Sequence, residues 1–275
     1  MSRSATSRVA CALPPVKRLV DERDALRAEA SELRRTNREL LRERDRLLRR
    51  NRALAETEGD RTPGLDYVFI ATYGRSGSTL LQGILNSTPG YLIRGENDGV
   101  LYHLFRFHQL ATARRLRLKG RHLTATHPYF GIDDYPEQVA LQRLRAVVID
   151  TLLRPAADTR VTGVKEIRWD QPYLLKYAAF LRQLFPGARF IVNTRDHDEV
   201  RQSKWWARRP DALEQIGARE SKLMRLAESL GEDAYQVHYN DYVSDPTVLT
   251  DLFSWLGEDF DVDRVRRTMA QRHSY

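Results

Sequence analysis

"TYGRSGSTLLQ", residues 72–82, follows the apolar run "YVFIA" at 67–71. A short apolar run bounded by glycines reads as a buried strand, and the leucine-rich segment after it reads as a helix. The junction is strand, small-residue turn, helix. It is not the standard nucleotide loop, which needs two glycines flanking four residues and then a lysine. Ligands of such sheets sit at the carboxyl ends of strands beside helix N-termini. Gly74 and Gly77 permit close backbone approach. The N–H groups of Ser76 to Thr79 would face an anion, helped by the helix dipole. Ser78 and Thr79 add hydroxyls, and Arg75 adds a cationic fork suited to phosphate or sulfate. A glycine turn with a serine cap accounts for the same residues without a ligand.

Beyond this loop, strand and helix patterns alternate. Strands are expected at 67–72, 161–165, 189–193 and 234–238. Helices are expected at 78–87, 98–118, 136–153, 172–184, 197–208, 211–230, 246–256 and 262–271. That order predicts an α/β domain over 66–275 with a P-loop-type, mainly parallel sheet flanked by helices. A second cationic feature lies in "FIVNTRDHDEVRQS". An apolar strand ends near Arg195, and Ser203 follows eight residues later on the next expected helix. Together they would clamp a second phosphate, although a strand-ending arginine also serves as a surface ion-pair partner.

These segments resemble sulfotransferases that use 3′-phosphoadenosine 5′-phosphosulfate (PAPS). "YGRSGSTLL" is similar to that family's 5′-phosphosulfate loop, and Arg195 with Ser203 is similar to its 3′-phosphate motif. The likeness runs from about Tyr67 to the C-terminus and is strong only in segments. The arginine-led loop, with "IRGEN" downstream, is closer to the tyrosylprotein and bacterial carbohydrate-type branches. Leu80 stands where the cytosolic steroid and phenol branch has a tryptophan.

The resemblance implies PAPS as donor co-substrate, with no metal. Glu96 lies 21 residues after Arg75, just beyond a short strand. The tyrosylprotein branch has its proposed base glutamate in a similar segment, which makes Glu96 the candidate general base. Glu96 capping the helix near Asp98 is the alternative. By the same resemblance Lys165, in "TGVKEIR", would stabilise charge on the transferring group, and Arg75 would face the leaving 5′-phosphate. Lys165 paired with a carboxylate is the alternative there. His238 and Tyr239 match a segment that completes the donor site, with Tyr239 preferred, and the terminal "RHSY" is a further candidate for closing it. Trp205 and Trp206 line an acceptor pocket or pack a helix. The aromatic-rich stretch 98–135 roofs the site or fills the core.

Residues 19–58 differ from the rest. Leucine recurs at every seventh position, from Leu19 through Leu26, Leu33, Leu40 and Leu47 to Leu54. With leucine at d, the a positions include Asn37 and Asn51, while Glu22 and Glu29 at g face Arg27 and Arg34 at e. Those pairs favour a parallel homodimer through a coiled-coil helix about 55 Å long. A long solvated helix is the alternative. Residues 1–18 read as a flexible N-terminus and 59–65 as a linker. A basic-zipper DNA reader is excluded because Pro14 and Pro15 break the helix that would enter the groove.

The net charge of +8 favours anionic ligands, although an arginine-rich composition also produces it. One cysteine, Cys11, allows no internal disulfide and points to a reducing compartment. No apolar stretch reaches the ~20 residues of a membrane span. A cytoplasmic enzyme is expected, with a hydroxyl or, less readily, an amine as acceptor on a small molecule, carbohydrate or lipid-linked sugar. The alternatives are a P-loop small-molecule kinase and a non-catalytic coiled-coil interaction protein. No nucleic acid partner is expected.

Overall fold

The computed structural model describes residues 18–33, 35, 36, 39, 64–121, 123–203 and 205–271. They fall into two units that divide between Pro63 and Gly64. In the first unit residues 18–33 are helical, and Leu19, Leu26 and Leu33 are all exposed on it. The later heptad leucines, residues 59–63 of the linker expected over 59–65, Cys11 and the terminal residues 272–275 lie outside the described residues.

The second unit is built on five parallel strands in the order β2-β3-β1-β4-β5. They are β1 (Asp66–Ala71), β2 (Tyr91–Arg94), β3 (Val161–Glu166), β4 (Arg189–Thr194) and β5 (Ala234–His238). The central strand, β1, is buried from Tyr67 onward, which is why it reads as an unbroken apolar run rather than an alternation. Successive side chains still part to opposite faces. Tyr67, Phe69 and Ala71 join one core with Phe185, Phe190 and Trp206. Val68 and Ile70 join the other with Leu81, Ile84, Ile191 and Phe253.

The helices that cover these faces are α1 (Ser78–Asn86), α2 (Val100–Leu118), α3 (Glu137–Val147), α4 (Leu174–Leu184), α5 (His197–Arg201), α6 (Ala212–Leu230), α7 (Tyr239–Ser244), α8 (Thr250–Leu256) and α9 (Val262–Met269). Three expected helices are broken, the one over 246–256 into a 3₁₀ turn, Pro246–Leu249, and α8. The one expected over 197–208 stops at Arg201 and resumes as a single 3₁₀ turn, Trp206–Arg208. Trp206 is fully buried there and its indole N–H donates to the carbonyl of Gly74 at 3.0 Å, so burial of one ring overrides helical continuation. Ser203 therefore lies past the end of α5 rather than on it. The helix expected over 136–153 becomes α3 followed by a π turn, Val148–Leu153. Arg94 takes the freed carbonyls of Leu153 and Arg154 at 2.7 and 3.0 Å. α7 was not expected as a helix.

Among the described residues no helix is long and apolar enough to cross a membrane. Gly163 on β3 is a packing constraint, because a Cβ there would fall 1.7 Å from the carbonyl oxygen of Val68 on β1. Gly163→Ala is expected to push β1 and β3 apart and to cost about 2–4 kcal/mol, read from urea unfolding midpoints.

Candidate functional site

The loop after β1 holds two residues in the left-handed region, Arg75 at φ 73° and Gly77 at φ 79°. Such a conformation is unfavourable for a long side chain, and it persists only where surrounding structure enforces it. Gly77 is the N-cap of α1. No side chain caps that end and no acidic residue sits in its first turn. The first N–H groups of a helix have no intrahelical acceptor, so this end is left with donors for an anion.

A buried polar network fixes the loop from below. Ser76 is fully buried; its hydroxyl lies 2.6 Å from that of Thr72, and Thr72 donates to the carbonyl of Asn193 at 2.6 Å. The Asn193 amide donates to the carbonyl of Ser76 at 2.9 Å. Ser76 is thus the internal brace of the loop, whereas Gly77, Ser78 and Thr79 line a cavity of about 530 Å³. Tyr73 ties the loop to β4: its phenol accepts from the N–H of Arg195 at 3.0 Å and donates to Glu220 at 2.7 Å. Burial pushes the Tyr73 phenol far above its ordinary pKa, as does its bond to Glu220, so it stays neutral.

Both candidate arginines border the cavity. Arg75 Nε donates to the hydroxyl of Ser203 at 2.7 Å, so residues from the two cationic motifs are in direct contact. Arg195 donates to the carbonyl of Arg75 at 3.2 Å and makes two bonds to Glu199 at 2.7 and 3.0 Å. Hydrogen bonding from Arg195 holds the Glu199 carboxyl below its ordinary pKa. That ion pair is kept through neutral pH and is lost as pH falls through the lowered value. The guanidinium of Arg195 also stacks on Tyr239, 4.3 Å from the ring centroid. Tyr239 in turn covers Gly77, where a Cβ would fall 1.9 Å from the ring. His238 Nδ1 lies 2.9 Å from Thr194 Oγ1.

Glu96 and Lys165 meet each other. Lys165 Nζ lies 2.5 Å from Glu96 Oε1, with the lysine buried on β3 and the glutamate half exposed on the cavity wall. Glu96 does not cap α2. The Asn97 side chain does, its Oδ1 accepting from the N–H of Val100 at 3.0 Å. Glu166, which no sequence pattern marked, holds the segment that leads into the helix. Its buried carboxylate accepts from the N–H groups of Asn97 and Gly99 at 3.2 and 2.9 Å and of Ile167 and Arg168 at 2.8 and 3.2 Å. One carboxylate thereby organises both the segment that carries Glu96 and the wall residue Ile167.

Trp205 lines the cavity against Gly74, while Trp206 stacks behind it with ring centroids 4.1 Å apart. Met269 and Gln271 close the cavity from the end of α9, and no sequence pattern had marked them. No described residue of 98–135 lines it; Tyr102 and Phe105 of α2 fill the core instead. Among the described residues no group of three or more His, Cys, Asp or Glu is placed to hold a metal ion.

A family model described as the sulfotransferase family matches residues 67–262. Among solved structures, the sulfotransferase domain of the Synechococcus PCC 7002 olefin synthase is 21% identical over 77% of this chain and 79% of its own, with a TM-score of 0.44. The sulfotransferase domain from the curacin biosynthetic pathway is 20% identical over 76% of this chain and 79% of its own, with a TM-score of 0.46. A Mycobacterium avium sulfotransferase is 14% identical over 78% and 70%, with a TM-score of 0.40. No curated protein matches the chain.

Glu166→Gln turns an acceptor into an N–H donor that faces other N–H groups. It is expected to lower stability by about 1–3 kcal/mol in urea unfolding, while Glu166→Asp, which keeps the charge, loses less.

Proposed function

This chain belongs to the sulfotransferase family, and on that premise we propose that it transfers the sulfuryl group of PAPS to a hydroxyl, or less readily an amine, on a small-molecule, carbohydrate or lipid-linked acceptor. The observation that carries the reading is the convergence of Arg75, Arg195 and the uncapped N-terminus of α1 on one cavity. Three sources of positive potential on one small space suit a ligand with several anionic groups. Gly77, Ser78 and Thr79 would hold the 5′-phosphosulfate beside Arg75. Arg195 and Ser203 would hold the 3′-phosphate, and Tyr239 would fix the Arg195 fork. The donor supplies an activated sulfuryl group.

Glu96 would take the acceptor's proton. Lys165 now neutralises Glu96 across 2.5 Å. As the reaction builds negative charge beside it, the ammonium can turn toward that charge and leave the carboxylate free to accept the proton. Neutralisation would come from Arg75, Lys165 and the helix end, so no magnesium requirement is expected.

We further propose a parallel homodimer through residues 19–58; the exposed leucine stripe of the first unit supports it. The single cysteine supports a cytoplasmic setting.

Adenosine 3′,5′-bisphosphate is expected to raise the melting temperature without metal, and ATP with magnesium is not. Stabilisation by ATP–magnesium alone would point to a kinase. Arg75→Ala and Arg195→Ala should each weaken donor binding about 10- to 100-fold, the scale of a lost charged hydrogen bond. Glu96→Gln should reduce kcat by about 10²–10⁴ with donor affinity kept; unchanged turnover would remove Glu96 as base. For the dimer, light scattering should show the mass per particle halving, beyond the loss of the segment itself, when residues 1–58 are removed.

A further inference from the structure

Residues 99–132 contain no aspartate or glutamate, although the chain as a whole carries 37. The same stretch carries six cations: Arg106, Arg114, Arg115, Arg117, Lys119 and Arg121. Arg115 pairs with Glu137 at its side. Among the described residues, no carboxylate lies within ion-pair distance of Arg114, Arg117, Lys119 or Arg121. A solvated helix face normally mixes charges of both signs, so a stretch of one sign this long calls for a separate cause.

The same face is apolar. Along α2 the outward positions, three and four residues apart, run Val100, His103, Phe107, Leu110, Arg114 and Arg117, so one side of the helix is apolar in its first half and cationic in its last. Phe107 and Leu110 are 56% and 59% exposed, far beyond what core packing requires. The loop after α2 extends this surface. Arg114 stacks on Tyr129 at 4.1 Å, Phe107 meets Tyr135 edge-on at 6.4 Å, and Phe130, next to Tyr129, is 61% exposed. Bulky apolar groups beside cations that have no carboxylate partner among the described residues are the composition of a segment that lies in a membrane interface: phenylalanine and leucine enter the acyl boundary while arginine and lysine reach anionic headgroups. The cavity described above draws no residue from this surface, so donor binding leaves the face unused.

We propose that α2 and the loop through Tyr135 form a docking surface for an anionic lipid bilayer, which holds the enzyme peripherally on a membrane. A protein partner is the less suited occupant, since it would have to supply acidic residues in register with dispersed arginines, whereas a lipid surface offers mobile phosphates at every position.

The test is flotation of the full-length protein with vesicles of phosphatidylcholine alone and of phosphatidylcholine with one-third phosphatidylglycerol. Binding is expected only to the anionic vesicles and should fall with added salt. Phe107→Ser/Leu110→Ser and Arg114→Gln/Arg117→Gln should each lower binding at least tenfold with the thermal midpoint kept. If the first pair fails to fold, the cation pair decides. Arg266→Gln/Arg267→Gln on α9 removes equal charge elsewhere, and an equal loss from it would overturn the proposal by showing general charge attraction. Loss by Leu26→Glu but not by either α2 pair would overturn it in favour of the N-terminal helix. Binding to neither vesicle would overturn it, as would a dimer in light scattering that Phe107→Ser/Leu110→Ser converts to monomer. Because vesicle binding is read without donor or acceptor, its result is independent of the sulfuryl-transfer reading.

Discussion

A single buried amide holds the anion-facing loop in shape. Asn193, fully buried near the end of β4, donates through its side chain to the carbonyl of Ser76 and accepts from the phenol of Tyr242, while its own carbonyl accepts from Thr72. Strand β4, the loop and α7 meet in that one residue. An interior polar group left without partners is costly, so each of these bonds selects against other loop conformations. Arg75 occupies its left-handed backbone conformation on top of this brace, and Tyr73 extends the brace to the backbone of Arg195. The backbone that carries both arginines thus rests largely on hydrogen bonds beneath the loop, while the Arg195 guanidinium itself is placed by Glu199 and Tyr239.

The three cations of the site are each already engaged: Arg75 with Ser203, Arg195 with Glu199, Lys165 with Glu96. Arg75 and Arg195 border the cavity, while Lys165 lies buried behind Glu96 on its wall. Glu199 is substantially exposed at 46%, so its pair with Arg195 is partly screened by solvent and an anionic ligand can compete for that cation, whereas Lys165 is buried and its pair with Glu96 is the more firmly held. The partners therefore keep the site assembled without closing it to its ligand.

β1 and β4 were legible because parallel strands buried on both faces leave unbroken apolar runs, and the loop was legible because glycine and serine cluster where β1 turns into α1. What escaped the sequence depends on contacts far along the chain. Nothing near residue 206 announces that its indole will reach Gly74 and end a helix. Nothing near residue 153 announces that Arg94 will take its carbonyl. Met269 and Gln271 enter the site only because α9 folds back over α1. Glu166 was the subtler case. A glutamate at a strand end has the look of a surface charge, and only the approach of residues 97–99 supplies the N–H groups that explain it.

Register on β3 connects these parts. Lys165 lies beside Ile70 of β1 and Glu166 beside Ala71, so the two charged residues are adjacent and their side chains leave the sheet on opposite faces. Lys165 meets Glu96 on one side, and Glu166 receives the N–H groups of Asn97 and Gly99 on the other. Between residues 96 and 97 the chain therefore crosses the carboxyl end of β3, and the two charges grip it from both faces. A shift of β3 by one residue would exchange them: the ammonium would face N–H donors and the carboxylate would face Glu96, each against its own sign. The same step that places the candidate base thus penalises the wrong register of the strand that carries its partner.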